Sequence, residues 1–323
     1  MNISRLFQHS ILELILLILC IVLAIMAPGF FTTENLLNVL RNVSMQGVIA
    51  LGMTAVIIAG EIDLSVGSAV AFAGCWTAYL TKWCSSETAG MPMGIAVSVA
   101  VLIALCTGVA LGSFAGVIRT RYGVPSFIST LALMTGLSGA AELITNGFPL
   151  TPFPAWYNVV GGGYVLGIPV PALVFVFAFL VMHFLMNNTT FGRSVYAVGG
   201  NAEAARLSGI NVARVKIAVL ALTSTFASVA GIMQSSEIMS GTATTAKGWE
   251  LDVIAAVIIG GTSLSGGAGT IRGTMVGVVF LGVIINGMTL LNVSEYWQHV
   301  VRGVLILSAV LLNRVQTRRV ADR

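Results

Sequence analysis

The chain has 323 residues, of which 57% are hydrophobic and 9% charged, and its formal net charge is +4. Soluble domains carry about 25% charged residues. So few charges cannot cover a water-facing surface, which excludes a soluble globular domain and makes lipid the solvent.

Several stretches have the ~17–25 apolar residues needed to cross a hydrocarbon core of about 30 Å. In chain order they cover 11–27, 43–60, 64–82, 93–117, 126–145, 164–186, 216–235, 250–261, 273–291 and 298–313. The expected fold is all-α: a polytopic membrane protein of about ten transmembrane helices, with 1–323 as one transmembrane domain. The 36 glycines suit helices that approach closely in lipid. The first segment, Ile11 to Ala27 behind Arg5, reads as a retained signal-anchor rather than a cleaved leader. The outer loop 146–163 carries prolines and aromatics and suits an irregular cap, with Trp156 and Tyr157 in the interfacial aromatic belt. The eighth segment, 250–261, is short and follows the polar run SGTATTAKGWELD. It reads as a broken or re-entrant helix sheltered by its neighbours.

The positions of the positive charges test the number of spans. With the N-terminus inside and ten crossings, Arg5, Arg119, Arg121, Arg193, Arg206, Arg214, Lys216, Arg272, Arg314, Arg318, Arg319 and Arg323 all lie inside. Arg41, Lys82 and Lys247 lie outside, and Arg302 falls within the last span. An odd number of spans would put the basic tail LLNRVQTRRVADR outside, so the bias favours an even number and cytoplasmic termini. Cys20, Cys75, Cys84 and Cys106 are scattered and read as small core residues. His9, His183 and His299 have no metal-ligand spacing, and no metal site is expected.

The stretch AGEIDLSVGS (59–68) places Glu61 and Asp63 in an apolar region. Asp63 reads first as an N-cap of the following helix, with Ser65 and Ser68 bonding locally. Glu61 reads equally as a local residue or as part of a polar path, since charges in a bilayer rarely persist without a partner or cavity. VIIAGEIDLSVG (56–67) is echoed by VIIGGTSLSGG (257–267) six spans later, without the acids. The acids are therefore not needed for the turn itself.

The longest inside connection, 187–215, contains GGNAEAARLSG (199–209). It reads as a short helix with Asn201 as N-cap, Glu203 in the first turn, Arg206 in the last and Gly209 as a left-handed stop. Such a helix is too short to stand alone in water. It must dock on its own membrane domain or on a partner.

Three stretches, GMTAVIIAGEIDLSVGS (52–68), FGRSVYAVGGNAEAARLSGINVARVK (191–216) and VIIGGTSLSGGAGTIRGT (257–274), resemble the permease subunits of bacterial ATP-binding-cassette importers of the ribose/monosaccharide group. The wider superfamily includes branched-chain amino-acid permeases. With the hydropathy profile the resemblance covers essentially the whole chain. It implies a multi-pass protein of the bacterial inner membrane, a passive pathway subunit rather than an enzyme. The implied partners are a second permease subunit (a homodimer or a related chain), a periplasmic sugar-binding protein, and a cytoplasmic ATPase with two nucleotide-binding halves. ATP and Mg²⁺ belong on that ATPase, with no cofactor on this chain and no nucleic-acid partner. The hairpin at 199–209 would be the coupling helix, resting on the matching residues Gly192, Arg193, Gly199, Gly200, Asn201, Ala205, Gly209 and Ile210, with Glu203 and Arg206 beside them. Glu61 departs from the family's pattern, which tends to a small residue before Ile-Asp-Leu-Ser.

No GxxxxGK[ST] phosphate loop occurs, and the near miss GGAGTIRGT lacks the lysine. Candidates for the translocation pathway are Glu61, Asp63, Ser65, Ser68, Glu142, Asn146, Ser263 and Asn286. Two other readings stand beside the sugar importer. One is the same architecture carrying an amino acid or another small polar solute. The other is an ion-coupled transporter or channel using Glu61, Asp63 or Glu142.

Overall fold

A computed structural model describes residues 3–321. Of the positions used above, Arg323 lies outside the described residues. The side chains of Arg5, His9, Arg314, Arg318 and Arg319 lie outside those whose surroundings are described.

All ten apolar segments are helical. They form α1 (Ile3–Met26), α2 (Thr33–Ile58), α3 (Val66–Cys84), α4 (Met93–Arg121), α5 (Ser126–Thr145), α6 (Val170–Asn188), α9 (Val212–Glu237), α10 (Trp249–Ile259), α11 (Ile271–Leu290) and α12 (Glu295–Ala321). Between α6 and α9 lie α7 (Thr190–Gly200) and α8 (Ala202–Leu207). Among the described residues, six helices, α2, α4, α5, α6, α9 and α11, are long and apolar enough to cross a membrane. The protein is a polytopic helical membrane protein.

Two details depart from the sequence reading. The sixth apolar segment starts with a small hairpin, β1 (Tyr164–Val165) paired antiparallel with β2 (Ile168–Pro169), and its helix begins only at Val170. Gly167 at φ 78° makes the turn, which the hydropathy profile does not register. Tyr157 is not a belt residue. It lies on a 3₁₀ turn (Ala155–Val160), is 1% exposed, and packs inward with its hydroxyl 3.0 Å from Ser235 Oγ. Trp156 beside it stays half exposed. All four cysteines are free.

The interior is organised around α2. Every residue from Gly47 to Ile58 is buried, against α6, α9, α10 and α11. Large apolar side chains such as Leu102, Phe114, Leu180 and Phe184 point outward, as expected where lipid is the solvent. The most extensive helix contact is between α4 and α9. Gly108, Gly112 and Gly116 repeat every fourth residue, so they line one stripe of α4. A Cβ on Gly112 would meet the Leu220 carbonyl and stand 2.7 Å from Ala221 Cα; one on Gly116 would stand 2.6 Å from Ile217 Cα. Small residues at this spacing let helices pack backbone to backbone in lipid, where no hydrophobic force drives them together.

The short α10 has 11 residues, about 16 Å of helix, or half a bilayer core. The segment before it runs along α3. Gly241 lies against Cys75 and Ala78, and Ala246 lies against Gly67. The element expected to be broken or re-entrant at 250–261 is therefore a run of turns along α3 that feeds a half-helix, with Asp252, Val253 and 255–258 buried and Leu251 facing out.

Gly112→Ile should lower the melting temperature of the detergent-solubilised protein, because overpacking a close contact costs about 1–3 kcal/mol. Gly136→Ala, on α5 with open space at its Cβ position, should leave it unchanged or slightly higher.

Candidate functional site

The repeat seen in the sequence is a repeat in geometry. At the end of α2, Gly60 N–H donates to the Ile57 carbonyl and Glu61 N–H to that of Val56, both at 3.0 Å. At the end of α10, Gly261 N–H donates to Ile258 (2.9 Å) and Thr262 N–H to Val257 (3.2 Å). Gly60 at φ 76° and Gly261 at φ 89° provide the left-handed residue that this helix stop requires. The two turns meet. Gly267 N–H, from the loop after α10, donates to the Ile58 carbonyl at the end of α2 (2.8 Å).

Beyond its turn the chain is non-helical through 61–64, and Ser65 already has helical dihedrals (φ −83°, ψ −7°) before α3 begins. Its peptide groups would be unpaired in the bundle, but the first turns of α5 satisfy them. Ile62 N–H donates to Ser126 Oγ (3.1 Å) and Leu64 N–H to Thr130 Oγ1 (3.1 Å). Asp63, 1% exposed, accepts from Ser65 N–H (2.9 Å) and Ser65 Oγ (2.6 Å). Ser68 Oγ donates to the Ser65 carbonyl (2.8 Å). Asp63 thus braces the segment two residues ahead of α3, and Ser65 holds the N-cap position that the sequence reading gave to Asp63. Val70 on α3 contacts Gly231, which lies about 22 Å along α9 from Lys216 at 1.5 Å per residue. Since Lys216 binds Glu61, the non-helical segment climbs into the bundle before α3 starts.

Glu61 is 3% exposed. Arg119 Nε, in the last turn of α4, donates to both its carboxylate oxygens at 2.9 Å, and Lys216 Nζ, in α9, donates to Oε1. Neither a local cap nor an open polar path describes it; it is the centre of a three-residue charge cluster.

α8 is built as its residues require. Asn201 Oδ1 accepts from Ala204 N–H (2.9 Å), and Gly209 stops the helix at φ 84°. The guanidinium of Arg206 binds Glu203 through two hydrogen bonds, and these hold the Glu203 carboxyl below the usual carboxylate range. Ala205 faces the protein interior at 4% exposed, and Ile210 and Gly192 also pack inward. Glu203, Arg206, Gly209 and Leu207 face out, Leu207 at 76% exposed. Leu207 was not among the expected contact residues. An apolar residue ending the polar stretch NAEAARLSG is the signal that could have found it. Arg193, on α7, is also exposed.

α7 ties this hairpin to the paired turns. A Cβ on Gly199 would meet the Ile58 carbonyl and stand 2.6 Å from Gly267 N. Gly200 touches Gly267 in the same place, and Tyr196 Oη donates to the Gly269 carbonyl (2.8 Å). The hairpin backbone therefore rests directly on both turns.

Of the pathway candidates, Glu142 and Asn146 line a common cavity. It has a volume of about 580 Å³ and lies at the C-terminal end of α5, beside Phe148, Pro149, Thr242 and Thr244. Ser263 braces its own loop, its N–H donating to the Ala268 carbonyl and its Oγ accepting from Ser265 N–H. Asn286 makes a reciprocal amide pair with Asn35, at 2.7 and 3.0 Å, joining α11 to α2. A further ion pair, missed in the sequence, joins Asp252 of α10 to Arg302 of α12 at 3.1 Å. The acid in WELD, ahead of a short apolar helix, was its signal.

The sequence matches the family described as branched-chain amino acid transport system / permease component over residues 35–310. The chain belongs to this permease family. The permease is 43% identical over 302 residues to the ribose import permease protein RbsC of Bacillus subtilis (strain 168), covering 93% of this chain and 90% of that one. It is 41% identical over 315 residues to RbsC of Escherichia coli (strain K12), covering 95% and 93%. It is 43% identical over 320 residues to the probable ABC transporter permease protein YphD of the same strain, covering 98% and 92%. No solved structure matches it. The permease is thus a multi-pass transport component and not the ATP-hydrolysing one.

In the permease, Asp252→Ala should lower the melting temperature more than the double variant Asp252→Ala/Arg302→Met. Stranding one partner of a buried pair costs about 3–5 kcal/mol, while replacing both can be nearly neutral. Equal losses in the two variants would show that the pair is not a unit.

Proposed function

We propose that the chain is the pathway subunit of an ATP-driven monosaccharide importer. In this reading ten helices cross the membrane, with α10 as the half-crossing element and both termini in the cytoplasm. The α8 end faces a cytoplasmic ATPase with two nucleotide-binding halves, which holds the ATP and Mg²⁺. The Glu142–Asn146 cavity faces the periplasm and a sugar-binding protein. A second permease subunit completes the pathway.

The observation that carries this reading is α8. Its caps and the packing of Ala205 hold it on the protein, while Leu207 at its tip stays 76% exposed beside Glu203 and Arg206, an apolar contact left open for a docking partner. Its connections give it a way to act. Gly199 seats the hairpin on the paired turns, and α8 runs through Gly209 into α9, which is packed against α4. A push on α8 is passed to the ends of α2, α4, α9 and α10 together. Two of the close relatives are ribose import permeases by name, which supports a sugar as cargo. Glu61 binds two cationic side chains and Asp63 braces Ser65, which argues against that turn as a transported-ion site.

Leu207→Asp and Gly209→Pro should each abolish ATP-dependent uptake while the protein still inserts and folds. Proline cannot adopt the positive φ of Gly209. Uptake by membrane vesicles and co-purification of the ATPase are the readouts, and normal uptake by both variants would remove α8 from the coupling. Glu142→Ala and Asn146→Ala should reduce uptake while ATPase binding stays intact. Ligand screening of the co-purifying binding protein tests the cargo class; a tightly held amino acid would replace the sugar assignment.

A further inference from the structure

The two matching turns differ at one position that bears on mechanism. Glu61 follows the left-handed glycine of the first, and Thr262 follows that of the second. Both turns form the same pair of backbone hydrogen bonds. The carboxylate is therefore not required to make the turn. Its partners come from two other elements, Arg119 at the end of α4 and Lys216 near the start of α9. The side chain of Glu61 is 2% exposed and that of Lys216 12%, so the charges are taken out of solvent to be paired. A buried ion pair is a poor way to gain stability compared with apolar packing. It does set geometry, because Arg119 Nε and Lys216 Nζ reach the carboxylate from two different helices through charge-assisted hydrogen bonds and so fix where the group sits.

The location gives that geometry a use. Lys216 lies seven residues after Gly209, within the first turns of a helix entered directly from α8. Arg119 sits on α4, which the glycine stripe joins to α9. Glu61 opens the non-helical segment 61–64, whose other side is held by Ser126 and Thr130 of α5. Displacement of α8 thus reaches this segment by two routes, the main-chain seat of Gly199 on the end of α2 and the Glu61 carboxylate held by α4 and α9. Hydroxyl–peptide bonds to α5 are the weaker attachment, since neutral hydrogen bonds are about half as strong as charge-assisted ones.

We propose that Glu61 is a positioning residue for energy coupling: with Arg119 and Lys216 it locks the non-helical segment before α3 to the α4–α9 unit, so that movement of the α8 hairpin moves this segment. The proposal rests on the importer reading above. It assigns to Glu61 neither a place in the pathway nor contact with cargo.

The test uses the complete transporter, with ATPase and binding protein, reconstituted in liposomes. The measured quantity is sugar taken up per ATP hydrolysed. A structural defect lowers both activities through the amount of assembled complex, but it does not change their ratio. Glu61→Gln keeps the size and removes the charge, and Glu61→Thr installs the residue of the second turn, whose geometry threonine already supports. In both, ATP hydrolysis should persist and the ratio should fall by about tenfold or more, within the range of ordinary coupling energies. If Glu61→Gln fails to assemble, Glu61→Thr and Lys216→Gln decide by the same ratio. A parental ratio in any assembled Glu61 variant overturns the proposal. The parent chain separates the two levels of argument: failure of the parent to take up sugar with ATP would overturn the importer reading itself, and the proposal with it.

Discussion

Backbone polar groups have no water to bond in hydrocarbon, and each one left unpaired there costs several kcal/mol. That constraint governs the centre of this protein. The segment 61–64 is non-helical chain inside a helical membrane protein, and it survives because α5 presents hydroxyls at Ser126 and Thr130, one turn apart. The second irregular segment, ahead of α10, is handled by shelter: it lies along α3, and Leu150 pairs with Gly241 through backbone bonds of 2.8 and 3.0 Å. Where the helical ladder stops, another element supplies the missing partners.

The same need explains where the glycines matter. At Gly199 and Gly267 they bring three backbone segments within hydrogen-bonding distance, so the α8 hairpin is joined to the helix ends by main chain rather than by side chains. Main-chain joints have few rotamers to absorb a displacement. Charge then selects which elements move together: Glu61 joins the first turn to α4 and α9, and Asp252–Arg302 joins α10 to α12. These attachments are few, which suits a protein that must change between two arrangements without coming apart.

Much of this was legible in the sequence. The ten helices, the short eighth segment, the capped α8 and the turn repeat all come from local signals: apolar length, Asn201 and Gly209 as caps, and glycines at matching offsets. What escaped depends on partners distant in the chain. Nothing near Glu61 announces Arg119 or Lys216, 58 and 155 residues away. Asn286 looked like a pathway residue because its partner Asn35 is 251 residues distant. Ser126 and Thr130 carry no sequence signal for the segment they serve, whose Ile62 and Leu64 lie more than 60 residues earlier. Tyr157 was misplaced for the same reason, since the pocket for its hydroxyl is built by α9.

The glycine stripe of α4 has a consequence for how the protein is made. Gly116 is synthesised well before α9 begins at Val212. At about 5–20 residues per second, roughly 5–20 s pass before its partner leaves the ribosome. During that time a flat, small-residue groove faces lipid or whatever helix is nearest, and α5 and α6 are inserted in the meantime. The most extensive helix contact of the finished protein therefore cannot close until three further membrane segments have followed α4 out of the ribosome.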